Sequence, residues 1–180
     1  MLAEPPESGG EGRHVVDEPL VLGERHDLDH PDLVGVVENA ERDVGLALET
    51  GARYHCQHVS AKMTVELIRR AKESGLPVTA EVTPHHLTFD ESALAGLDPD
   101  FKMYPPLRGT DDREALVSAL REGVIDVVAT DHAPHLPNEK HTDFAAAPRG
   151  VIGLETAASA TWEILGDPET PPARRAPARP

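Results

Sequence analysis

Helix-like and strand-like patterns of apolar positions alternate along the middle of the chain. A helical pattern covers about residues 33–50 and ends at Gly51, and the segment RYHCQHVS then predicts a short strand. Ser60 follows as a candidate N-cap of a second helix, which ends near Gly75. The predicted apolar face of this second helix consists of Met63, Leu67, Ile68 and Ala71. These features predict a helix–strand–helix order in the first half of the chain.

The second half continues the alternation. The segment VTAEV predicts a second strand, and an irregular stretch separates it from a helix at 111–122 that Thr110 or Asp111 would cap and Gly123 would end. The segment VIDVVAT then predicts a third strand. Strands separated by helices of about a dozen residues are typical of βαβ units, so the sequence predicts an α/β fold with about three parallel strands.

The two ends of the chain differ from this middle region. Residues 1–32 are rich in acids, proline and glycine, and residues 166–180 contain five prolines. Neither end has the periodicity of a packed element, so both are expected to be poorly ordered. The folded domain is therefore expected to cover residues 33–165.

Charge and cysteine content narrow the classes of function. The net charge is −15, and residues 1–45 hold twelve Asp or Glu against three Arg. Nucleic acid and membrane surfaces are therefore not expected as partners, since both are anionic. Cys56 is the one cysteine, which excludes an internal disulfide, and no apolar run approaches the roughly 20 residues that span a bilayer. A cytoplasmic location is expected.

Metal-binding and proton-transferring residues follow the predicted strands. His58 follows the first strand, and Asp131, His132 and His135 follow the third in the segment DVVATDHAPH. In parallel α/β folds, ligands and catalytic groups collect at the carboxyl ends of the strands. Imidazole nitrogen and carboxylate oxygen suit a metal such as zinc, and an aspartate beside a metal can also accept a proton from bound water. The sequence therefore predicts a shared site that includes His58 and Asp131.

Three further histidines and the cysteine are interpreted as structural residues and not as metal ligands or catalytic groups. His85 and His86 follow the second strand, but both are interpreted as part of a turn after Pro84. His55 alternates with Cys56 along the first strand and is interpreted as a packing position. Cys56 has no neighbour in sequence that would activate its thiol, so it is expected to be a small buried apolar residue.

Several motifs together resemble a known family. The segments CQHVS, EVTPHHL, PPLR, TDHAPH and PRGVIGLET occur here in the order found in dihydroorotases of the amidohydrolase superfamily, and the resemblance extends over about residues 41–165. Hydantoinases and allantoinases are the alternative within the superfamily. They usually have Cys-Pro where this chain has Thr83-Pro84, and they lack the second His of DHAPH. These differences favour dihydroorotase.

The resemblance implies the C-terminal part of a (β/α)8 TIM barrel with one or two zinc ions, acting on carbamoyl-aspartate and dihydroorotate in pyrimidine biosynthesis. By motif position, His58 matches a metal ligand, and Asp131 matches both a metal ligand and the catalytic acid/base. His135 matches the group that pairs with the substrate carboxylate. The expected substrate contacts also include the loop residues Pro148, Arg149 and Gly150, together with Tyr104.

The chain also departs from the family pattern. It contains no His-x-His pair, which supplies two metal ligands in the family, and Tyr104 stands where many dihydroorotases have Asn. The resemblance covers about three of eight barrel strands, so the chain is expected to be a truncated dihydroorotase that is inactive alone. The alternative is a non-catalytic scaffold that associates with aspartate transcarbamoylase, and a homo-oligomer is also considered.

Overall fold

The computed structural model describes residues 31–166, which form a small parallel sheet with helices packed against one of its faces. The elements in chain order are α1 (Pro31–Thr50), β1 (Tyr54–Cys56), α2 (Lys62–Glu73), β2 (Val78–Val82), α3 (Pro84–Thr88), α4 (Thr110–Glu122), β3 (Val127–Val128), α5 (Pro137–Lys140) and α6 (Ala157–Leu165). Two short 3-10 turns, Glu91–Leu94 and Pro99–Phe101, lie between α3 and α4. None of the described helices is both long and apolar enough to span a membrane.

The three strands are parallel and lie side by side in chain order, which confirms the predicted sheet. In the register, His55 pairs with Thr79, and Glu81 pairs with Val127. The third strand is shorter than the predicted segment 124–130. The backbone amides of Val124 and Ile125 explain its later start, because both donate to the carbonyl of Ala119 in α4 instead of to a neighbouring strand.

The sheet has one face in the core and one face open. In β2, Val78, Ala80 and Val82 are buried, whereas Thr79 is exposed and Glu81 half-buried between them. This alternation is the period of two that places successive side chains on opposite faces of a strand. The buried face joins a core cluster with α2 and α4, whose largest fully buried members include Leu67, Ile68, Leu87, Leu116 and Ile125.

Three local predictions about the helices are wrong. Met63 is half-exposed, and Thr64 and Val65 are the buried residues of that turn of α2. Ser60 does not cap α2, because the cap position is Ala61. The Ser60 hydroxyl instead accepts a hydrogen bond from Arg108 Nε at 3.0 Å. The amide of Lys62, the first residue of α2, is instead satisfied by Asp112 Oδ1 from α4 at 2.8 Å.

The third wrong prediction concerns the start of α4. Thr110 is the first helical residue, and the cap position is Gly109, which has no side chain that could accept a hydrogen bond. The hydroxyl of Thr110 donates to Asp90 Oδ2 at 3.2 Å. The predicted ends of the helices are correct, since Gly51 follows α1 and Gly123 follows α4, both with positive φ.

His86 is a structural residue, as the sequence predicts. Its Nε2 lies 2.9 Å from the carbonyl of Pro105, and its Nδ1 lies 2.7 Å from the hydroxyl of Thr83. The carbonyl can only accept, so Nε2 carries the proton and Nδ1 accepts from Thr83. Burial is the main reason that the pKa of His86 falls to about 3. The ring therefore joins α3 to the segment before α4 in its neutral form.

The buried His86 predicts that the folded chain loses stability in mild acid. The unfolded chain binds a proton near pH 6.5, whereas folded His86 binds one only near pH 3, so protonation favours unfolding. The contribution of neutral His86 is complete above pH 6.5 and is lost as the pH falls towards 3. Its slope reaches at most about 1.4 kcal/mol per pH unit.

Urea unfolding at pH 7 and pH 5 measures this effect. The substitution His86→Gln should reduce the difference in unfolding free energy between the two pH values. The matched substitution His141→Gln, at an exposed histidine, should leave the difference unchanged. An unaltered pH dependence in His86→Gln would show that other groups cause the acid sensitivity.

The predicted acidic segment 1–32 and the predicted Pro/Arg-rich tail 166–180 lie almost entirely outside the described residues. The domain predicted at 33–165 contains all of the elements from α1 to α6 apart from the first residues of α1.

Candidate active site

His58 and Asp131 lie at the same edge of the sheet, the edge formed by the carboxyl ends of the strands. His58 comes two residues after β1 and Asp131 three residues after β3, so both follow the carboxyl ends of parallel strands. Both have left-handed backbones, with φ values of 37° and 46°. This conformation costs about 1–2 kcal/mol for a residue with a side chain, and such residues are often found at functional sites. The predicted convergence on one edge is therefore present.

His85 is a third member of this edge that sequence reasoning placed in a turn. It is the second residue of α3, directly after β2, and it is buried. Its Nε2 atom is buried and has no hydrogen-bond partner among the described residues. Burial lowers the pKa of His85 to about 4, while the Asp131 carboxylate acts to raise it and His58 acts to lower it. His85 is thus held neutral, within electrostatic range of both predicted ligands.

These residues supply part of a metal donor set. The imidazole of His58 and the carboxylate of Asp131 are ligand types that suit zinc. Within residues 31–166, however, no three His, Cys, Asp or Glu side chains are grouped closely enough to hold a metal ion. A catalytic zinc commonly has three protein ligands. The described residues therefore do not fit a complete zinc site by themselves.

The segment after Asp131 runs beside the loop expected to contact substrate. His132 and Val151 form a parallel bridge, and the amide of Ala133 donates to the Val151 carbonyl at 3.0 Å. His135 Nε2 donates to the Arg149 carbonyl at 2.9 Å. Since this contact occupies the Nε2 proton, a substrate carboxylate would have to displace the carbonyl or bind at the other ring nitrogen.

Two lysines, Lys140 and Lys102, donate hydrogen bonds to backbone carbonyls of residues 144–150. No sequence pattern indicated either lysine. The buried Lys140 donates to the carbonyls of Pro148 at 3.2 Å and Gly150 at 3.0 Å, and burial lowers its pKa. Lys102 donates to three further carbonyls, and its own carbonyl accepts from the amide of Gly150 at 2.9 Å. Ammonium groups have three donors each, so each lysine can satisfy several loop carbonyls that would otherwise be left without partners.

Gly150 allows the loop to approach the segment after β3. Its φ is 131°, and a Cβ atom at this position would lie 2.7 Å from the Cβ of Ala133 and 2.9 Å from the Ala133 carbonyl oxygen. A side chain here would push the loop away from His135, whose Nε2 would lie 3.1 Å from that Cβ. The expectation that Gly150 permits close backbone approach has this steric basis.

Arg149 and Tyr104 contact each other. The guanidinium carbon of Arg149 lies 4.8 Å from the centre of the Tyr104 ring, and about half of the tyrosine side chain is exposed. His85, His135 and Gly150 also line a mostly apolar cavity of about 500 Å³. The structure therefore brings the predicted substrate-contacting residues into two neighbouring groups, His135 with the 148–150 loop and Arg149 with Tyr104.

Known structures place this architecture in the amidohydrolase class. D-hydantoinase (dihydropyrimidinase) from Thermus sp. superposes with a TM-score of 0.65 at 28% sequence identity, over 71% of this chain and 29% of that chain. The described sheet and helices thus have the fold of part of an amidohydrolase TIM barrel, which agrees with the predicted fold class. No family model matches the chain.

Curated relatives give a more specific resemblance. A dihydroorotase from Bacillus licheniformis is 54% identical over 116 residues, which are 64% of this chain and 27% of that protein. A dihydroorotase from Ligilactobacillus salivarius is 46% identical over 153 residues, which are 80% of this chain and 36% of that protein. The predicted resemblance to dihydroorotases is confirmed, and the chain spans about a third of the length of the relatives it matches.

Proposed function

We propose that this chain contributes part of the active site of a dihydroorotase, an enzyme that interconverts carbamoyl-aspartate and dihydroorotate. The observation that carries the proposal is the placement of His58 and Asp131 after the carboxyl ends of parallel strands, both in left-handed backbone, in a chain with 46–54% identity to two dihydroorotases. We assign this role to the domain at residues 33–165. Pyrimidine biosynthesis in the cytoplasm is the setting that the resemblance supports.

Each site residue has a proposed role. His58 and Asp131 would serve as zinc ligands, with the remaining donors supplied from outside residues 31–166. Zinc bound there would polarise the scissile carbonyl and activate a water molecule. Asp131 is also proposed as the acid/base that delivers a proton to the leaving nitrogen. His135, Tyr104 and the loop Pro148–Gly150 are proposed to bind the substrate, with His135 facing its carboxylate.

A chimaeric enzyme tests the function. Residues 33–165 would replace the corresponding segment of the Bacillus licheniformis dihydroorotase, and the product would be assayed with dihydroorotate, hydantoin and allantoin. We expect turnover of dihydroorotate and little turnover of the two five-membered rings. The hydantoinase fold neighbours make hydantoin hydrolysis the second candidate activity. Preferential turnover of hydantoin would support that second candidate and refute the first.

His135→Ala in the chimaera should mainly weaken substrate binding. If the imidazole pairs with the substrate carboxylate, its loss should raise KM by roughly tenfold or more and change kcat much less, because a charge-assisted contact contributes about 1.5–3 kcal/mol. Steady-state kinetics with Asp111→Asn, at an exposed position in the first turn of α4, as a control would measure this split. A fall in kcat with unchanged KM would instead assign His135 to the chemical step.

Association with aspartate transcarbamoylase is proposed on the resemblance alone. Gel filtration of the purified chain with and without aspartate transcarbamoylase would test it, and co-elution is the expected result for a scaffold role.

A further inference from the structure

A polar network lies on the open face of the sheet, where the sequence predicted a packing residue. His55 is exposed, and its Nε2 lies 3.1 Å from Glu81 Oε2 while its Nδ1 lies 2.8 Å from the Thr79 hydroxyl. An ionised carboxylate can only accept, so Nε2 donates to Glu81 and, in the neutral ring, Nδ1 accepts from Thr79. The prediction that His55 is a packing position is therefore wrong. His55 instead holds the side chain of Glu81 in place through a hydrogen bond.

Glu81 also holds the turn that carries His58. Its Oε1 accepts from the amide of His58 at 3.4 Å, and its own carbonyl accepts from the next amide, that of Val59, at 2.9 Å. One residue of β2 thus satisfies two consecutive amides beyond β1, one through its side chain and one through its backbone. The side chain of Glu81 is only 16% exposed, so water competes little for this contact.

The direction of His58 depends on this turn. Along β1, Tyr54 and Cys56 face the helices, and strict alternation would place His58 on that same buried face. The left-handed backbone of His58 interrupts the alternation. A non-glycine residue keeps such a conformation only when its surroundings hold it, and the two acceptors of Glu81 bind the amides of this turn.

We propose that Glu81 is a positioning residue, whose carboxylate, braced by His55, holds the left-handed turn that directs His58 into the active site. This inference rests on the proposed role of His58 as a site residue. Glu81 itself is not proposed to touch the substrate. Its two contacts act through the backbone of residues 58 and 59, so its effect should be visible in that backbone without any turnover.

Residue-resolved hydrogen exchange on the 180-residue chain tests the proposal. In the unmodified chain, the amides of His58 and Val59 should both be protected. Glu81→Met removes the carboxylate but keeps the backbone carbonyl, so exchange at His58 should accelerate by roughly tenfold while exchange at Val59 changes less than about twofold. Glu81→Gln retains an acceptor oxygen and should restore protection at His58 to within about threefold of the unmodified chain.

A second readout follows the ring of His58 itself. The NMR signals of this ring should shift in Glu81→Met and return towards their original positions in Glu81→Gln. Glu66→Met, which removes a carboxylate paired with Arg70 on the outer helix α2, is the matched control and should move neither the ring signals nor the exchange rates. A purely structural role for Glu81 would not produce rescue confined to His58.

The outcomes against the proposal are equally specific. Equal acceleration at His58 and Val59 in Glu81→Met would indicate general loosening and would overturn it. If Glu81→Met does not fold, the unmodified chain and Glu81→Gln decide the question, since an unprotected His58 amide in either contradicts the proposal. None of these measurements uses catalysis. A chimaera that fails to turn over dihydroorotate would therefore refute the proposed function without altering this result.

Discussion

Asp131→Asn in the dihydroorotase chimaera is expected to lower turnover by about 10²–10⁴-fold, the range typical of lost general acid–base catalysis. Asparagine has nearly the same shape as aspartate, but its amide cannot accept and return a proton near neutral pH. It is also a weaker ligand for a hard or borderline cation, because it lacks the negative charge. Both effects reduce kcat, and the second should also lower the affinity for zinc.

The backbone at Asp131 makes this substitution informative. Its φ of 46° lies in the left-handed region, where Asp and Asn are the side chains that are best tolerated after glycine. Asp131→Asn should therefore preserve the turn after β3, and the unfolding free energy should change by less than about 1 kcal/mol. Asp131→Ala would combine loss of the carboxylate with added backbone strain, so it would not separate chemistry from folding.

Asp111→Asn provides the matched control. Asp111 lies in the first turn of α4, and its side chain is 84% exposed. Its substitution should change turnover less than about twofold. Near-normal turnover in Asp131→Asn, with the control also active, would show that Asp131 is not the acid/base.

The parallel sheet and the shared edge could be predicted because they depend on periodicity. Glycine-terminated helices and apolar strands recur along the chain, and parallel strands bring their carboxyl ends together whatever the details of packing. For this reason the placement of His58 and Asp131 at one edge followed from their positions after the strands. The motifs then predicted a resemblance to dihydroorotases, which comparison with known dihydroorotases confirmed.

The contacts that support the site could not be predicted from the same patterns. Lys140 lies in sequence among polar loop residues, and only the folded chain shows it buried beneath the carbonyls of Pro148 and Gly150. Ser60 resembles an N-cap, but the distant Arg108 competes for its hydroxyl. His55 resembles a packing residue until the register places it opposite Thr79. Each case depends on a partner at least 8 positions away in the sequence, which local propensity does not report.

The 180-residue chain, purified alone, is expected to bind zinc weakly and to interconvert carbamoyl-aspartate and dihydroorotate no faster than background. The proposed roles give it two metal ligands, His58 and Asp131, whereas a catalytic zinc commonly has three protein ligands in a fixed geometry. His85 has a free Nε2 nearby, but the three groups are not arranged closely enough in residues 31–166 to hold an ion. A ligand side chain that lacks the hydrogen bonds that orient it binds metal more weakly still, by roughly 10–100-fold.

The two outer strands of the sheet support the same expectation. Among the described strands, β1 and β3 each have one neighbour, so each leaves one edge without a strand partner. Open edges favour association between chains over a single rigid site. A site that depends on the spacing of β1 and β3 would then be held less firmly than in a closed barrel, where both edges are paired.

Equilibrium dialysis with zinc and a dihydroorotate absorbance assay on the isolated chain measure the two expected results, and gel filtration of the same sample reports its association state. The chimaera provides the positive control, because it contains the same residues 33–165 within a closed barrel. Tight binding of one zinc per chain together with clear turnover would contradict the expectation. In that event, His58→Ala and His85→Ala would distinguish a site built on this edge, which both substitutions should weaken, from a site formed by residues outside 31–166.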